Sequence, residues 1–409
     1  MMRRLAVAAV AILLLAGAAR LLPAERAIVI LVSLDGFRAD YLERLSPPHL
    51  LQLAKAGVVA DGLIPQFPSK TFPNHYTLVT GLTLAHHGII SNNMRDPSVP
   101  GDFRMDNREV ISDPRWWGGE PIWNTVEQQG RKAAAMFWPG SEAKIGGRQP
   151  SYWMPFDDHM PHQERINHVL SWLQLPAGQQ PSFLTLYFSD VDSAGHSRGP
   201  DSQEVRDAVM AVDASVGQLV DGVNKIGLAD RVTYVIVSDH GMAAISPDRM
   251  IVLDNYIDVS TVDVIDSAPV LALSPRDGNV ERVYAALKDK HPALDVYRSN
   301  ELPAKYGLAG HPRLPAVIGV AHEGWFITSN REQQRWREPN RHPPGGAHGY
   351  DASLASMRAL FIAEGPRVKS GMRVKAFENI HVYDFLCALL GVTPAKNDGD
   401  PAVTRDMLR

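Results

Sequence analysis

The chain has 409 residues, 45% of them hydrophobic and 21% charged, with a formal net charge of −4. That length suits one large α/β domain with insertions, or two domains. The charges form no block of like sign, which gives no basic face for binding a nucleic-acid backbone or duplex.

Residues 1–19 stand apart. Arg3 and Arg4 precede an apolar run from Leu5 to Leu15, and Ala16-Gly17-Ala18 follows as a small-residue cleavage site. This is the pattern of a secretory signal peptide. The alternative is an uncleaved N-terminal anchor, for which the run is short. No later stretch is long and apolar enough to span a bilayer, so no stable membrane span is expected after cleavage. The mature protein is expected outside the cytoplasm, in the periplasm if the cell is Gram-negative. A single cysteine, Cys387, excludes a disulfide within the chain. Its neighbours Val382, Phe385, Leu386, Leu389 and Leu390 have helical spacing, which reads as core.

Residues 27–34 form a continuous apolar, β-branched run that ends at Asp35-Gly36, the signature of a buried parallel strand. A helix is expected over 41–56, stopped by Gly57. The stretch from Pro68 to Gly81 reads as a loop turning into a helix, with Thr71 at or near the N-cap and Pro73 just inside. The positive end of a helix dipole there would stabilise an anion. Residues 86–93 are turn-rich, and 95–120 read as surface loop.

A short helix is expected over 121–130 and a strand over 132–138, followed by an aromatic loop to Asp158. Further strands are expected over 183–188, ending in Asp190 and Asp192, and over 231–238, ending in Asp239-His240-Gly241. Helices are expected over 162–173 and 202–226. The alternation predicts an α/β fold: a mostly parallel open sheet with helices on both faces. Residues from about 250 to 330 read as a small α+β subdomain inserted into a catalytic domain of 27–409. Residues 331–346 read as loop, 359–363 as strand and 380–390 as the last helix.

Three strands thus end in potential ligands: Asp35, then Asp192 with His196, then Asp239 with His240. In open α/β sheets the crevice outside the C-terminal strand ends is where ligands bind. His348, after a long loop, can join them. Thr71 alone would only cap its helix, and each acid alone could begin a turn. Together, three carboxylates and three imidazoles without a thiolate suit zinc, and they suffice for two ions with open positions. Two such ions roughly 4 Å apart clamp a phosphoryl group and activate a hydroxyl such as that of Thr71. His75, His86, His87, His159, His162 and His168 lack a strand-end placement and read as loop or surface residues.

Several motifs resemble the nucleotide pyrophosphatase/phosphodiesterase family of the alkaline phosphatase superfamily, here as a bacterial secreted member. They are Ser33-Leu34-Asp35-Gly36, Lys70-Thr71-Phe72-Pro73-Asn74-His75, His87-Gly88-Ile89 with Asn92, Phe137-Trp138-Pro139-Gly140, Asp192-Ser193-Ala194-Gly195-His196, Asp239-His240-Gly241-Met242 and Gly346-Ala347-His348-Gly349. The resemblance implies an alkaline phosphatase-like fold and two Zn2+ ions. One ion would be held by Asp192, His196 and His348. The other would be held by Asp35, Asp239 and His240, with Thr71 bound to it as nucleophile. The resemblance also implies that Asn92 donates to a phosphate oxygen and that Phe72 and Tyr187 contact a nucleotide base.

The expected reaction is two-step, in-line hydrolysis of a small phosphodiester or nucleotide through a phosphothreonine intermediate on Thr71, releasing a nucleoside monophosphate. The close rival is a phospholipid-type diesterase acting on lysophospholipids or glycerophosphodiesters. The pocket beyond the phosphate, expected from residues 103–156, and the inserted subdomain would decide between them. A phosphomonoesterase would need an arginine or third metal that nothing clearly supplies. A sulfatase would need Cys or Ser where Thr71 stands. A secreted, non-catalytic zinc- or phosphate-binding protein would not need Thr71 with Asn92.

Overall fold

The computed structural model describes residues 27–409; the expected signal peptide lies outside the described residues. The central sheet has eight strands: β1 (Ile28–Leu34), β2 (Val58–Ala60), β3 (Ala133–Met136), β4 (Tyr152–Met154), β5 (Phe183–Phe188), β6 (Val232–Val237), β7 (Phe361–Glu364) and β8 (Met372–Val374). Their order is β8-β2-β7-β6-β1-β5-β3-β4. The run β6-β1-β5-β3-β4 is parallel, and only β7 pairs antiparallel, with β6 and with β2. The mostly parallel α/β sheet is as the sequence predicts.

β1 is buried over its whole length because both of its faces are covered. Val29 and Leu31 pack into one core, and Ile28, Ile30, Val32 and Leu34 into the other. Complete burial of such side chains contributes about 1.5–3 kcal/mol each, which holds this strand at the centre. The first core receives Tyr76, Leu78 and Val79 of helix α1 (Thr71–Thr80). The second receives the valine stripe Val205, Val209, Val212 and Val216 of α3 (Gln203–Lys225), which follows α2 (Asp190–Arg198). Ser202 caps α3 by accepting from the Val205 N–H at 3.2 Å. Cys387 is buried in the C-terminal helix Val382–Leu390, and burial pushes its thiol up to about 12, as expected of a core residue.

Register aligns the strand ends. Leu34 pairs with Phe188 and Ser33 with Val237, so Asp35, the start of α2 and Asp239 leave the sheet along one edge. Gly36 makes that turn at φ +68°, and a Cβ there would sit 2.8 Å from the Asp192 Cα.

Several local expectations change. The single helix expected over 41–56 is two, Tyr41–Arg44 and Pro48–Ala56. Pro47-Pro48 breaks the run, and buried Asp213 of α3 accepts from the His49 and Leu50 N–H groups at the second helix's start. The expected surface loop over 95–120 contains a hairpin, Asn93–Asp96 with Val99–Arg104, and buries Phe103, Trp116 and Trp117. The aromatic loop after residue 138 contains edge strand β4. The 331–346 loop begins in a short helix, Asn330–Arg335.

Helix α2 was not expected at all: Ser193 and Gly195 leave it no apolar stripe. Within the 250–330 region a separate four-stranded antiparallel sheet forms in the order Val262–Asp266, Val270–Pro275, Val317–Ala321, Leu294–Arg298, with helix Val280–Leu287 packed against it. Among the described residues no helix is long and apolar enough to cross a membrane.

Candidate active site

Thr71 is the first residue of α1 rather than its cap; the N-cap position belongs to Lys70, whose side chain makes no capping bond. Asn92 supplies the cap from a distant segment, its Oδ1 accepting from the Phe72 N–H at 2.9 Å. That bond orients the amide and leaves its NH2 without a partner among the described residues. The loop before Thr71 is held by buried Asn74. Its Oδ1 accepts from the Gln66 N–H at 2.7 Å, and its Nδ2 donates to the Pro68 and Lys70 carbonyls at 3.1 and 3.0 Å. The sequence reading gave Asn74 no structural role, and its burial inside the helix has no periodic signature.

Around Thr71 the structure brings all six expected metal-ligand candidates together. Asp192 and His196 sit one turn apart on α2, so both face the same way. Asp192 Oδ1 lies 3.5 Å from His196 Nε2 and 3.6 Å from His348 Nε2. His240 Nε2 lies 3.0 Å from Asp239 Oδ2, 3.5 Å from Asp35 Oδ1 and 3.3 Å from Thr71 Oγ1. The ligand atoms of Asp192, His196 and His348 lie within 4.8 Å of one another, as do those of Asp35, Asp192 and His240.

Two observations test whether these groups suit a cation. Asp35 Oδ1, Asp192 Oδ1 and Asp239 Oδ2 are buried carboxylate oxygens without a hydrogen-bond partner. Such atoms are costly unless a cation meets them. Each of the three imidazoles also has Nδ1 on a backbone carbonyl: His196 on Gly346 at 3.1 Å, His240 on Gly241 at 2.9 Å and His348 on Ser69 at 2.8 Å. Nδ1 therefore carries the proton and Nε2 keeps its lone pair for a metal. Gly346 permits the first contact, since a Cβ there would meet the Gly195 carbonyl oxygen at 2.6 Å.

Charge is crowded here. Burial, then Asp239 and Asp192, push the Asp35 carboxyl well above the usual range. Burial also opposes ionisation of Asp239, yet the His240 and His75 imidazoles hold its carboxyl well below that range. Burial lowers His240, but Asp239 and Asp192 lift it above the ordinary value. Burial and the neighbouring imidazoles of His240 and His196 depress His348.

His75 corrects the sequence reading. It is fully buried, not a loop or surface residue, and lies 3.3 Å from Asp239 Oδ2. Its Nδ1 donates to the Thr71 carbonyl at 2.9 Å and its Nε2 meets Ser33 Oγ at 2.8 Å. Both nitrogens are engaged, so His75 braces the first turn of α1. His87 is likewise buried, with Nε2 donating to Thr77 Oγ1 at 2.9 Å. His86, with its side chain 63% exposed, is on the surface as expected.

Phe72 and Tyr187 both line a cavity of about 260 Å³ that opens beside Thr71 and Asp35. Its other walls include Met105, Ile111, Trp138 and Phe156, so the 103–156 region does contribute. Tyr187 does more than offer a ring: its hydroxyl donates to Asp35 Oδ2 at 2.7 Å. Burial and Asp35 keep that phenol protonated.

The profile of the family described as type I phosphodiesterase / nucleotide pyrophosphatase matches residues 29–351. The chain is 38% identical over 383 residues to the mouse bis(5'-adenosyl)-triphosphatase, covering 93% of this chain and 81% of that protein. It is 35% identical over 381 residues to human ectonucleotide pyrophosphatase/phosphodiesterase family member 5, covering 93% of this chain and 78% of that one. Among solved structures, an inactive threonine-to-alanine variant of murine ectonucleotide pyrophosphatase/phosphodiesterase 5 in complex with AMP is similar. Its TM-score is 0.88 at 33% identity, covering 94% of this chain and 100% of that chain.

Proposed function

The chain belongs to the type I phosphodiesterase / nucleotide pyrophosphatase family, hydrolases of phosphodiester and diphosphate bonds, and from that premise we propose that it cleaves nucleotides or nucleotide derivatives to nucleoside monophosphates with Thr71 as nucleophile. The observation that supports this most is the gathering of three unpartnered carboxylate oxygens and three imidazoles in overlapping clusters, with His240 Nε2 3.3 Å from Thr71 Oγ1.

In this reading Asp192, His196 and His348 would hold one Zn2+, and Asp35, Asp239 and His240 would hold a second. Bound there, the two ions would lower the pKa of the Thr71 hydroxyl and offset negative charge on the phosphoryl oxygens and on the leaving oxygen. Thr71 Oγ1 attacks phosphorus in line, the bond to the leaving oxygen breaks, and a phosphothreonine ester remains. Asn92 donates its free amide N–H to a non-bridging oxygen as negative charge grows there. His75, through the Thr71 carbonyl, keeps the nucleophile's backbone fixed. Water then attacks the same phosphorus from the vacated side, and the Thr71 oxygen leaves. Phe72, Tyr187 and Phe156 offer aromatic walls for the base. Export across a membrane, to a periplasm if the cell is Gram-negative, is supported by residues 1–19 alone.

The test is incubation of the zinc-loaded protein with ATP and identification of the products. AMP with pyrophosphate supports the proposal. ADP with phosphate overturns the site of cleavage. No turnover, with zinc content verified, overturns the nucleotide reading and makes lysophosphatidylcholine and glycerophosphocholine the next substrates.

A further inference from the structure

A second and larger depression, about 720 Å³, adjoins the first. Its walls include Ser193, His196 and Ser197 of α2, and Thr328, Arg331, Trp336 and His342 from the segment leading to His348. Ser193 belongs to the walls of both depressions. The two therefore adjoin along α2, where Asp192 lines the first part of the trench and His196 the second. Thr71 also lines the first part.

The chemistry of the second part differs from the first. Arg331 makes no hydrogen bond or ion pair among the described residues. Thr328 is 5% exposed, and its Oγ1 is buried without a partner. Trp336 is half-buried, with only Phe326 as an aromatic neighbour among the described residues. His342 Nε2 lies 3.3 Å from Ser197 Oγ, which ties this segment to α2 beside His196. Leu253, Val259, Val264, Phe326, Ile327 and Pro344 give apolar wall, and the charged side chains Arg331 and Glu332 stand among them. A planar ring against Trp336 and a phosphate near Arg331 find partners.

We propose that this depression is the leaving-group subsite, and that Arg331 and Trp336 select a leaving group carrying both a phosphate and a planar ring. The proposal rests on the diesterase reading above. With phosphorus at the junction and the nucleoside retained by the Phe72 cavity, in-line departure from Thr71 sends the leaving oxygen towards His196 and into this groove. A substrate with a nucleotide on each side of the scissile bond would fill the whole trench.

The test compares two substrates that share the retained thymidine 5'-phosphate. One is the p-nitrophenyl ester, whose leaving group lacks a phosphate; the other is dithymidine diphosphate, whose leaving group is a nucleotide. In Arg331→Ala and Trp336→Ala, kcat/KM for the dinucleotide should fall about tenfold, mainly through KM, the effect of roughly one stacking or charge contact each. The value for the p-nitrophenyl ester, whose leaving group has a ring but no phosphate, should stay within about twofold in Arg331→Ala and should fall in Trp336→Ala. Calorimetric binding of uncleaved dithymidine diphosphate to the Thr71→Ala protein should weaken by the same factor when either change is added. Equal losses on both substrates in Arg331→Ala, or no loss on the dinucleotide in either variant, overturn the subsite and leave the diesterase reading intact. Failure of the unsubstituted, zinc-loaded protein to cleave the p-nitrophenyl ester overturns that reading and the subsite with it.

Discussion

Lys70 Nζ lies 2.5 Å from Asp266 Oδ2, in an ion pair whose side chains are only 7% and 9% exposed. The same carboxylate accepts from Ser91 Oγ, and its other oxygen accepts from the Ser267 N–H at 3.0 Å. Lys70 precedes Thr71 and Ser91 precedes Asn92. One side chain of the four-stranded sheet thus grips the residue before the proposed nucleophile and the residue before the proposed phosphate donor. Removing one partner of a buried pair costs about 3–5 kcal/mol, so Asp266→Asn should lower the melting temperature. It should also lower kcat about tenfold or more, with KM and metal content little changed, because the distance between Thr71 and Asn92 is no longer fixed. Asp263→Asn is the control, since its bond to Arg95 is at a more exposed surface and should leave kcat within about twofold. An unchanged kcat in Asp266→Asn would show that the pair only stabilises the fold.

Asn92 has its Oδ1 fixed by the Phe72 N–H, which leaves its amide N–H groups to serve as the proposed donors to a phosphate oxygen. Asn92→Ala should reduce kcat by about a hundredfold to a thousandfold, the usual cost of one donor to developing negative charge. Asn92→Asp should be as poor, because a carboxylate would repel phosphate and could not donate. Steady-state kinetics on a nucleotide ester would decide it, with circular dichroism to verify folding.

Tyr187 meets the cavity with its ring and Asp35 with its hydroxyl. Tyr187→Phe keeps the ring and removes the bond that orients Asp35. Zinc affinity should fall about tenfold to a hundredfold, as for other groups that orient metal ligands. Preference among nucleotide bases should not change. A variant that bound zinc normally and lost base preference would reverse this assignment.

His87 gives a pH-dependent stability. The Ile89 N–H donates to its Nδ1 at 3.1 Å, so only the neutral, Nε2-protonated ring fits. Burial, with Arg313 adding to it, lowers its pKa to about 3. The unfolded chain, titrating near 6.5, takes up a proton that the folded chain refuses. Stability from this group is therefore complete above about pH 6.5 and falls as pH drops towards 3, by about 1.4 kcal/mol per unit. In urea unfolding between pH 6 and 4.5, His87→Gln should show a shallower decline than the unsubstituted protein. Parallel declines would mean that His87 takes up its proton in the folded state too.

His87 and His75 also mark the limit of what the sequence makes legible. Strand ends were readable because a continuous β-branched run followed by an acid is a pattern in itself, and so Asp35, Asp239 and their neighbours could be found. The buried histidines were not, because a polar side chain that faces a core looks like any other until its partner is known. Ser33, the partner of His75, is 42 residues away. Helix α2 escaped for a related reason. Its ligands occupy one face, Gly195 lets it approach Met242 closely, and no apolar stripe remains to betray a period. The hairpin around Val99 hid behind Pro97, Pro100 and Gly101, residues that usually mark loops.

The proposed metal centre should release protons when it fills. Without a cation, burial and the acids Asp239 and Asp192 raise Asp35, so its carboxyl holds a proton to higher pH than a free one. His240 is also raised, by Asp239 against the effect of burial, and so favours its protonated form. A metal takes Asp35 as carboxylate and His240 as neutral imidazole, so both protons must leave. His348 is already depressed and contributes none. Zinc affinity should therefore rise with pH, by about tenfold per unit for each proton displaced. Calorimetric titration of the chelator-stripped protein, repeated at one pH in buffers of different ionisation enthalpy, gives the number of protons released. Near pH 6 it should exceed the value for Asp35→Asn, which has no carboxyl proton to lose at that position. If the two numbers agree, Asp35 is ionised before the metal arrives, and the unpartnered Oδ1 is a charge that the fold stabilises by some other means.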